Sequence, residues 1–224
     1  MASSSREQLR GLYAITPENA DTEALVARVA LCLEGGAALV QYRAKSAVPT
    51  LALAQSRRLA ALCRSFGALF IVNDSIELAS AAGADGVHLG RDDTGLAQAR
   101  RALPHGIIGV SCYSDPALAR AAARDGADYV AIGSVFASST KPHAARATLS
   151  AIGEARRISG LPVAAIGGIT LDNANEALEA GADMLAVITA LFTAPDVRGT
   201  ARAFSDRFDE KPGEQRGTQK QRAL

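Results

Sequence analysis

Aromatic residues and cysteines are scarce in this sequence. Tryptophan is absent, and aromatic residues make up 4% of the 224 positions. Stacking platforms for single-stranded nucleic acids are therefore not expected. The three cysteines, Cys32, Cys63 and Cys112, show no C-x-x-C spacing, which argues against a zinc ribbon or a disulfide framework. Because an odd set of thiols fits a reducing compartment, we expect a cytoplasmic protein.

Excess charge and long apolar runs are also missing. The formal net charge is +1, so the basic stripe of a nucleic-acid-binding protein is not expected. The opening stretch MASSSREQLR lacks the apolar core of a signal peptide, and no apolar run has the length of a membrane span. Hydrophobic residues make up 48% of the chain, enough for one sizeable core. We expect neither nucleic acid nor a membrane as a partner.

What the sequence does contain is a series of short apolar runs separated by helix-like segments. Their continuous apolar character is typical of strands that are covered on both faces. We predict strands at residues 12–15, 39–42, 69–72, 86–89, 107–110, 129–132, 163–166 and 184–188. In the helix predicted after the second strand, the face that we expect to be buried carries Leu51, Leu59, Leu62 and Phe66.

A weak internal repeat supports a regular architecture. Gly-Ala or Gly-Ala-Asp introduces every second strand, in GGAALV, AGADGV, DGADYV and AGADML. Eight alternating strands and helices predict an α/β fold, a single-domain parallel TIM (β/α)8 barrel. A doubly wound open sheet is the alternative, but its G-x-G-x-x-G turn is absent. We expect the barrel over residues 11–208, a flexible N-terminus over residues 1–10 and a disordered polar tail over residues 209–224.

Polar side chains follow most of the predicted strands, where barrel enzymes carry their catalytic loops. Gln41, Arg43 and Lys45 alternate, so an extended backbone projects them to one side. The other chemistry-capable residues at strand ends are Asn73, Asp74, Asp92, Asp93, Ser111, Ser138, Thr140, Lys141, Gly167, Gly168, Ile188 and Thr189. Cations, hydroxyls and glycine turns suit phosphate oxygens, and carboxylates with an amide suit Mg²⁺ shared with a phosphate. Since no base stands beside a serine or cysteine nucleophile, the set indicates charge stabilisation of a leaving diphosphate.

These residues also have structural interpretations. Asp74 could cap the helix that begins SIELAS, and Asp92 or Asp93 could cap TGLAQARRAL. The cations after the second strand could be solvated charges at a strand end. His88 lies within a strand, which indicates a core or rim residue rather than a ligand. The functional interpretation is favoured because so many polar groups follow strands on one rim.

Six blocks in series resemble the motifs of the thiamine phosphate synthase family. QYRAK is similar to its Q-x-R-x-K signature, and VNDSIELASAAGADGVHLGRDD is similar to its N-D…GADGVHLGQ-x-D block. The other blocks that resemble family motifs are GVSCYS, YVAIGSVFASSTK, AAIGGIT and AVITALF. The resemblance covers residues 11–195 and keeps the order of the motifs.

This resemblance implies a transferase of thiamine biosynthesis. Its two small-molecule substrates would be 4-amino-2-methyl-5-(diphosphooxymethyl)pyrimidine and a thiazole phosphate, and its products thiamine phosphate and pyrophosphate. The implied mechanism is dissociative: pyrophosphate leaves, and the thiazole nitrogen attacks the pyrimidine carbocation. The resemblance implies Mg²⁺ bound by Asp74 and Asp93, and catalytic roles for Arg43, Lys45, Ser111 and Lys141.

The resemblance also implies two groups of substrate-binding residues. The pyrimidine diphosphate would contact Gln41, Tyr42, Arg43, Ala44, Lys45, Asn73, Ser111 and Lys141. The thiazole phosphate would contact Ser138, Ser139, Thr140, Gly168, Ile188 and Thr189.

The chain departs from the family pattern at a few positions. Arg91 stands where the family has Gln, Ser134 and Ala137 replace loop prolines, and Ser138 and Thr189 exchange one hydroxyl residue for another. Loss of the prolines is expected to loosen the loop after the sixth strand. One alternative is a thiazole tautomerase, which carries His where this chain has Ser134. The other is a non-catalytic phosphate-binding regulator, which should have lost Asp74, Asp93 or Lys141. The oligomeric state stays open, and a homo-oligomer is compatible with the sequence.

Overall fold

Eight parallel strands form a closed barrel in the computed structural model, which describes residues 8–90, 95–137 and 146–209. The strands pair in chain order, and the last pairs with the first, with Leu12 opposite Leu185. This closure confirms the predicted TIM (β/α)8 fold and excludes the doubly wound alternative, whose sheet has two open edges. Among the described residues, no helix has both the length and the apolar character needed to span a membrane.

The element boundaries follow the sequence prediction closely. The strands are β1 (Gly11–Ile15), β2 (Leu39–Tyr42), β3 (Leu69–Asn73), β4 (Gly86–Leu89), β5 (Ile107–Tyr113), β6 (Tyr129–Gly133), β7 (Val163–Ile166) and β8 (Met184–Val187). The helices are α1 (Thr22–Glu34), α2 (Pro49–Ser65), α3 (Ile76–Ala82), α4 (Leu96–Ala102), α5 (Pro116–Arg124), α6 (Leu149–Ser159), α7 (Ala174–Glu179), α8 (Thr189–Phe192) and α9 (Val197–Ser205), followed by a 3₁₀ helix (Asp206–Phe208). The largest difference is in β5, which continues to Tyr113 instead of ending at residue 110.

Alternation along the strands separates two apolar layers. Tyr13, Ile71 and Tyr129 belong to a cluster inside the barrel, and Phe70 and Ile108 belong to a larger cluster against the helices. Each is fully or almost fully buried, and burial of such a side chain contributes about 1.5–3 kcal/mol. The outer layer packs the helices against the strands. The inner layer fills the barrel interior, and its side chains nearest the strand ends form the floor of any site there.

The Gly-Ala-Asp repeat has a defined structural role. Its aspartates accept hydrogen bonds from the start of the preceding strand, in the pairs Asp85 with Phe70 N at 2.8 Å, Asp128 with Ile108 N at 2.9 Å and Asp183 with Val163 N at 3.0 Å. Each aspartate therefore ties the beginning of an even-numbered strand to the beginning of the strand before it. In GGAALV no aspartate is present, and only the main-chain bond that all four repeats share remains, from Ala38 N to Leu12 O at 3.0 Å.

The buried face of α2 differs from the prediction. Phe66 lies at the helix C-cap and is 46% exposed, because α2 ends at the residue before it. The buried face instead includes Gln55 and Ser56. Gln55 is accommodated because its Oε1 accepts a hydrogen bond from Tyr42 and its Nε2 donates to Asn19 O. Hydrophobic spacing alone could not identify this polar contact.

The packed part of the chain begins before the predicted boundary at residue 11. Leu9 is buried inside the barrel, and Arg10 Nη2 donates to Phe208 O at 2.8 Å. The stretch predicted to be flexible, residues 1–10, thus includes a residue of the barrel core. The rest of that stretch up to residue 7, and residues 210–224 of the predicted tail, lie outside the described residues.

The aspartate ties can be tested by unfolding. Asp128 Oδ2 accepts from Ile108 N and pairs with Arg100 Nη2 at 2.6 Å. Asp128→Ala leaves Ile108 N without its side-chain acceptor and removes the ion pair with Arg100, so we expect a loss of about 1–3 kcal/mol in the free energy of unfolding. Urea titration followed by far-UV circular dichroism measures it. Asp125→Ala, at an exposed position of the same turn, is the matched control and should change stability little. Equal effects of the two substitutions would contradict the role of Asp128.

Candidate active site

A cavity of about 410 Å³ opens at the carboxyl ends of the strands. Its two walls differ in character. The wall formed by β1 to β5 presents polar groups, namely those of Tyr13, Gln41, Arg43, Asn73, His88 and Ser111. The opposite wall, which we call the small-residue wall, is rich in glycine and alanine, at Gly133, Ala164, Gly167, Gly168 and Ala186, and also presents Ile166, Ile169, Val187, Ile188 and Thr189. A second cavity, of about 330 Å³, lies at the other end of the barrel and contains none of the predicted site residues.

The β2 end places alternate residues in different environments. Gln41 and Arg43 line the cavity, as the alternation predicted. Tyr42 points outward, where its hydroxyl donates to Gln55 Oε1 at 2.7 Å and burial raises its pKa to about 12. A contact between Tyr42 and a substrate in the cavity therefore has to come from its main chain. The side chain of Ala44 packs against the outer apolar layer.

The loop after β1 positions the loop that carries the cations. Thr16 Oγ1 accepts a hydrogen bond from Arg43 N at 3.0 Å, and Glu18 Oε1 accepts one from Lys45 N at 3.0 Å. Glu18 also accepts a hydrogen bond from the Ser46 hydroxyl. The hydrogen bonds from Ser46 and from the Lys45 main chain lower the pKa of Glu18, which stays ionised at neutral pH. Sequence reasoning missed Thr16 and Glu18, whose signal was their position directly after a strand.

Asp74 lies at the rim rather than at a helix cap. Its Oδ2 is 3.2 Å from Lys45 Nζ, and its backbone N donates to His88 O at 2.8 Å. The cap of α3 is Ser75, whose hydroxyl accepts from Leu78 N at 3.1 Å. The interpretation of Asp74 as a cap is therefore wrong. Asp74 has a φ of 65°, a left-handed conformation that non-glycine residues seldom adopt and that is concentrated at functional sites.

The second predicted metal ligand lies outside the described residues. This ligand is Asp93, and the other predicted residues outside the described part of the chain are Arg91, Asp92, Ser138, Ser139, Thr140 and Lys141. The N-cap of α4 is Gly95, and the interpretation of Asp92 as a cap falls on a residue outside the described part of the chain. Within the described part of the chain, no cluster of three or more His, Cys, Asp or Glu could hold a metal ion. Asp74, a partly exposed carboxylate beside Asn73, supplies the oxygen donors that Mg²⁺ takes when it also binds a phosphate.

A chain of hydrogen bonds crosses the floor of the cavity. We call it the floor chain, and it consists of Gln41, Tyr13, Tyr129, His88 and Ser111. Gln41 Nε2 donates to the Tyr13 hydroxyl at 2.7 Å, and the Tyr13 and Tyr129 hydroxyls are 2.7 Å apart. His88 Nδ1 is 2.9 Å from the Tyr129 hydroxyl, and His88 Nε2 is 2.9 Å from Ser111 Oγ. The floor chain thus connects two predicted substrate-binding residues, Gln41 and Ser111, through three side chains that no motif singled out as ligands.

Packing around Tyr129 holds the floor chain in place. Its ring stacks on His88 with centroids 5.5 Å apart, and a Cβ at Gly109 would overlap this ring. Burial raises the pKa of both Tyr13 and Tyr129 far above the ordinary value, so both stay protonated. The prediction that His88 is a core or rim residue is confirmed, since it is 7% exposed. Tyr13 and Tyr129 were missed because they occupy predicted strands as apolar residues do.

The loop after β6 is docked on the turn after β7. Val135 N donates to Ile166 O and Phe136 N donates to Gly167 O, each at 3.0 Å. The described part of this loop, up to Ala137, is therefore held by main-chain hydrogen bonds in spite of its missing prolines. Gly168 has a φ of 64°, and a Cβ there would overlap the carbonyl oxygen of Ala137.

The docking contact gives a test with a matched control. Gly168→Ala and Gly160→Ala both place a side chain at a left-handed residue, since Gly160 has a φ of 67°. A Cβ at Gly160 meets nothing within 4 Å, so only the backbone strain of about 1–2 kcal/mol is expected there. Gly168→Ala should lose more stability and also weaken binding at the small-residue wall. Unfolding free energies and steady-state KM values measure the difference, and equal values for both variants would contradict the docking contact.

A (β/α)8 barrel with cations, a carboxylate and hydroxyls around a cavity at the strand ends is typical of an enzyme that acts on small molecules. The profile of the thiamine monophosphate synthase family matches residues 12–191. The chain belongs to this family. This confirms the resemblance drawn from the six sequence blocks.

Individual relatives agree with the family assignment. A thiamine-phosphate synthase of Aromatoleum aromaticum is 54% identical over 203 residues, covering 90% of this chain and 98% of the relative. One of Thiobacillus denitrificans is 54% identical over 205 residues, covering 91% and 97%. The structure of a thiamine phosphate pyrophosphorylase from Pyrococcus furiosus superposes with a TM-score of 0.83 at 37% identity, covering 92% of this chain and 98% of that one.

Proposed function

We propose that the cavity joins 4-amino-2-methyl-5-(diphosphooxymethyl)pyrimidine to a thiazole phosphate and releases thiamine phosphate and pyrophosphate. The chain is a thiamine-phosphate synthase and hence a transferase, as its family and its relatives indicate. The observation that carries the mechanism is the concentration of donors and cations on one wall of the cavity, where a diphosphate would leave.

The polar wall suits a departing diphosphate. Arg43 and Ser111 line the cavity, and Lys45 extends its ammonium group to Asp74 at the rim. These groups can stabilise negative charge that grows as the carbon–oxygen bond breaks, and such stabilisation is often the largest catalytic contribution. Lys141, which lies outside the described residues, is proposed to add a further cation. No covalent intermediate is required, because charge stabilisation alone lets the pyrimidine carbon lose its diphosphate before the thiazole nitrogen attacks.

Gln41 is proposed to orient the pyrimidine. It is 3% exposed, lines the cavity and is fixed by its hydrogen bond to Tyr13. An amide held in this way can direct its remaining acceptor and donor positions toward a ring with an amino group. Asn73, at the end of β3, is proposed to contact the diphosphate beside Asp74.

The small-residue wall suits the second substrate. Gly168, Ile188 and Thr189 line it, and the ends of the last two strands are a common phosphate position in barrels of this class. We propose that the thiazole phosphate binds there, together with Ser138, Ser139 and Thr140. The absence of bulky side chains at Ala164 and Ala186 leaves room for the thiazole ring to face the pyrimidine.

Mg²⁺ is proposed as the resident cation, bound by Asp74 and Asp93. When bound, it would neutralise diphosphate charge and so favour its departure. Asp74 is 3.2 Å from Lys45, so this carboxylate also orients a cation of the site.

The tautomerase alternative is disfavoured by the contact that Ser134 makes. Its hydroxyl donates to Phe136 O at 2.9 Å and supports the loop after β6. A hydroxyl in that position offers no base for proton transfer near neutral pH, whereas a histidine would. Retention of Asp74, Asp93 and Lys141 in turn argues against a non-catalytic regulator.

The proposed reaction has a direct assay. The purified protein, incubated with both substrates and Mg²⁺, should form thiamine phosphate and pyrophosphate in equal amounts. Liquid chromatography of the thiamine product and an enzymatic pyrophosphate assay measure them. Intact pyrimidine diphosphate after prolonged incubation would refute the proposal.

Substitutions can distinguish the proposed metal ligands from neighbouring carboxylates that do not bind the metal. Asp74→Asn and Asp93→Ala remove a charge from the proposed Mg²⁺ site, so we expect turnover to fall by a factor of about 100 or more. Glu77→Gln removes an exposed carboxylate three residues from Asp74, and Asp92→Ala removes the neighbour of Asp93. Both controls should keep most of the activity. Initial rates measured over a range of Mg²⁺ concentrations give the effect. A larger loss of turnover in Asp92→Ala than in Asp93→Ala would mean that Asp92, and not Asp93, is the metal ligand.

A further inference from the structure

The floor chain has a direction that follows from counting protons. Each hydroxyl in it has one proton to donate. Gln41 Nε2 donates to the Tyr13 oxygen and has no lone pair with which to accept in return, so within the floor chain the Tyr13 proton finds its acceptor at the Tyr129 oxygen. The Tyr129 oxygen has then accepted, and its own proton goes to His88 Nδ1.

The same direction continues through the imidazole. Because Nδ1 accepts, a neutral His88 carries its proton on Nε2, which then donates to Ser111 Oγ at 2.9 Å. The Ser111 oxygen accepts from His88, and its own proton is left to donate toward the cavity that Ser111 lines. We propose that His88 is a positioning residue, held as the Nε2–H tautomer by Tyr129, which makes Ser111 a hydrogen-bond donor to the leaving diphosphate.

This inference rests on the proposed function, because a donor matters only if an anion faces it. With the opposite direction, Ser111 would donate to His88 and present only lone pairs to the diphosphate oxygens. Reversal would require all five groups to exchange roles, including a turned amide at Gln41. Since Gln41, Tyr13, Tyr129 and His88 are all buried, a partly reversed chain would leave two donors or two acceptors facing each other, at a cost in unsatisfied hydrogen bonds.

Both tyrosines remain hydrogen-bond donors throughout the neutral range. Burial raises the pKa of Tyr13 and of Tyr129 well above the ordinary value, so neither is expected to ionise there. The direction of the floor chain is therefore set by geometry rather than by the loss of a tyrosine proton. The ring stacking between His88 and Tyr129, with an angle of 29° between the planes, further restricts rotation of the imidazole.

The tautomer can be measured without substrate. Long-range ¹H–¹⁵N correlation of the ¹⁵N-histidine-labelled full chain at neutral pH distinguishes protonated from unprotonated ring nitrogens, and His88→Gln identifies which of the three histidines gives each signal. We expect a protonated Nε2 and an unprotonated Nδ1. Tyr129→Phe removes the donor to Nδ1 and should shift that nitrogen. Tyr42→Phe removes a tyrosine hydroxyl outside the floor chain and should leave both His88 nitrogens unchanged. A proton on Nδ1 would overturn the proposal.

The functional link to Ser111 is tested by a double-mutant cycle. If Tyr129 acts on the reaction through His88 and Ser111, Tyr129→Phe should lower kcat about tenfold in the native background, the loss of one charge-assisted hydrogen bond. In the Ser111→Ala background it should lower kcat less than about twofold, because the hydroxyl that it orients is gone. The KM for the pyrimidine diphosphate should change little in either case. Equal factors in both backgrounds would mean that Tyr129 supports only the fold, and would overturn the proposal.

Two conservative replacements of His88 give a further readout. Glutamine can place its Nε2 near the native Nε2 and keep a donor to Ser111, whereas asparagine is too short and reaches only the Tyr129 side. We expect His88→Gln to retain more kcat than His88→Asn, and the reverse order would count against the proposal. The NMR measurement distinguishes this proposal from the enzymatic one. If the predicted tautomer is found in a protein that makes no thiamine phosphate, the proposed function fails while the direction of the chain stands.

Discussion

Hydrogen bonding between β1 and β8 is the interaction on which the rest of the structure depends. Leu12 pairs with Leu185 and Ala14 with Val187, so the sheet has no edge and every strand has a neighbour on each side. Closure brings the carboxyl ends of all strands to one rim. Residues far apart in the chain, such as Tyr13 on β1 and Tyr129 on β6, then face each other across the interior with their hydroxyls 2.7 Å apart.

Closure also creates an interior that has to be filled, and this chain fills part of it with polar groups. Leu9 and Met184 fill the interior near the amino ends of the strands, whereas Tyr13 and Tyr129 lie nearer the carboxyl ends, beneath the cavity. Their hydroxyls are satisfied by each other and by Gln41 and His88, which avoids the cost of burying unpaired polar atoms. The residues that form the floor of the site thus belong to the buried core and also hold the side chains that we propose to contact the substrate.

The sequence predicted the fold well because the barrel is built from local signals. Strand positions followed from short apolar runs, and rim residues such as Arg43 and Asn73 followed from their places after strands. What it could not show was which side chains pair across the barrel. Tyr129 meets Tyr13 over a separation of 116 residues, and no local pattern encodes such a contact.

Errors in the prediction had the same origin. Phe66 was assigned to a buried face from helical spacing, yet α2 ends before it. Gln55 is buried because it bonds to Tyr42, a residue of another element. The alternative in which Asp74 caps α3, which was not the favoured one, fails because the adjacent Ser75 is the cap. In each case a tertiary contact or a shift of one residue decided the outcome.

The aspartate ties join six of the eight strands into three pairs. β3 is tied to β4, β5 to β6 and β7 to β8, whereas β2, introduced by GGAALV, has no aspartate at the equivalent position. New chain termini placed in the segments between pairs, such as the one joining β4 to β5, would leave each tied pair continuous. Termini placed within a pair would separate an aspartate from its partner along the chain. Circular permutants of this barrel are therefore expected to tolerate breaks between the tied pairs better than breaks within them, and six of the eight strands behave as three two-strand modules.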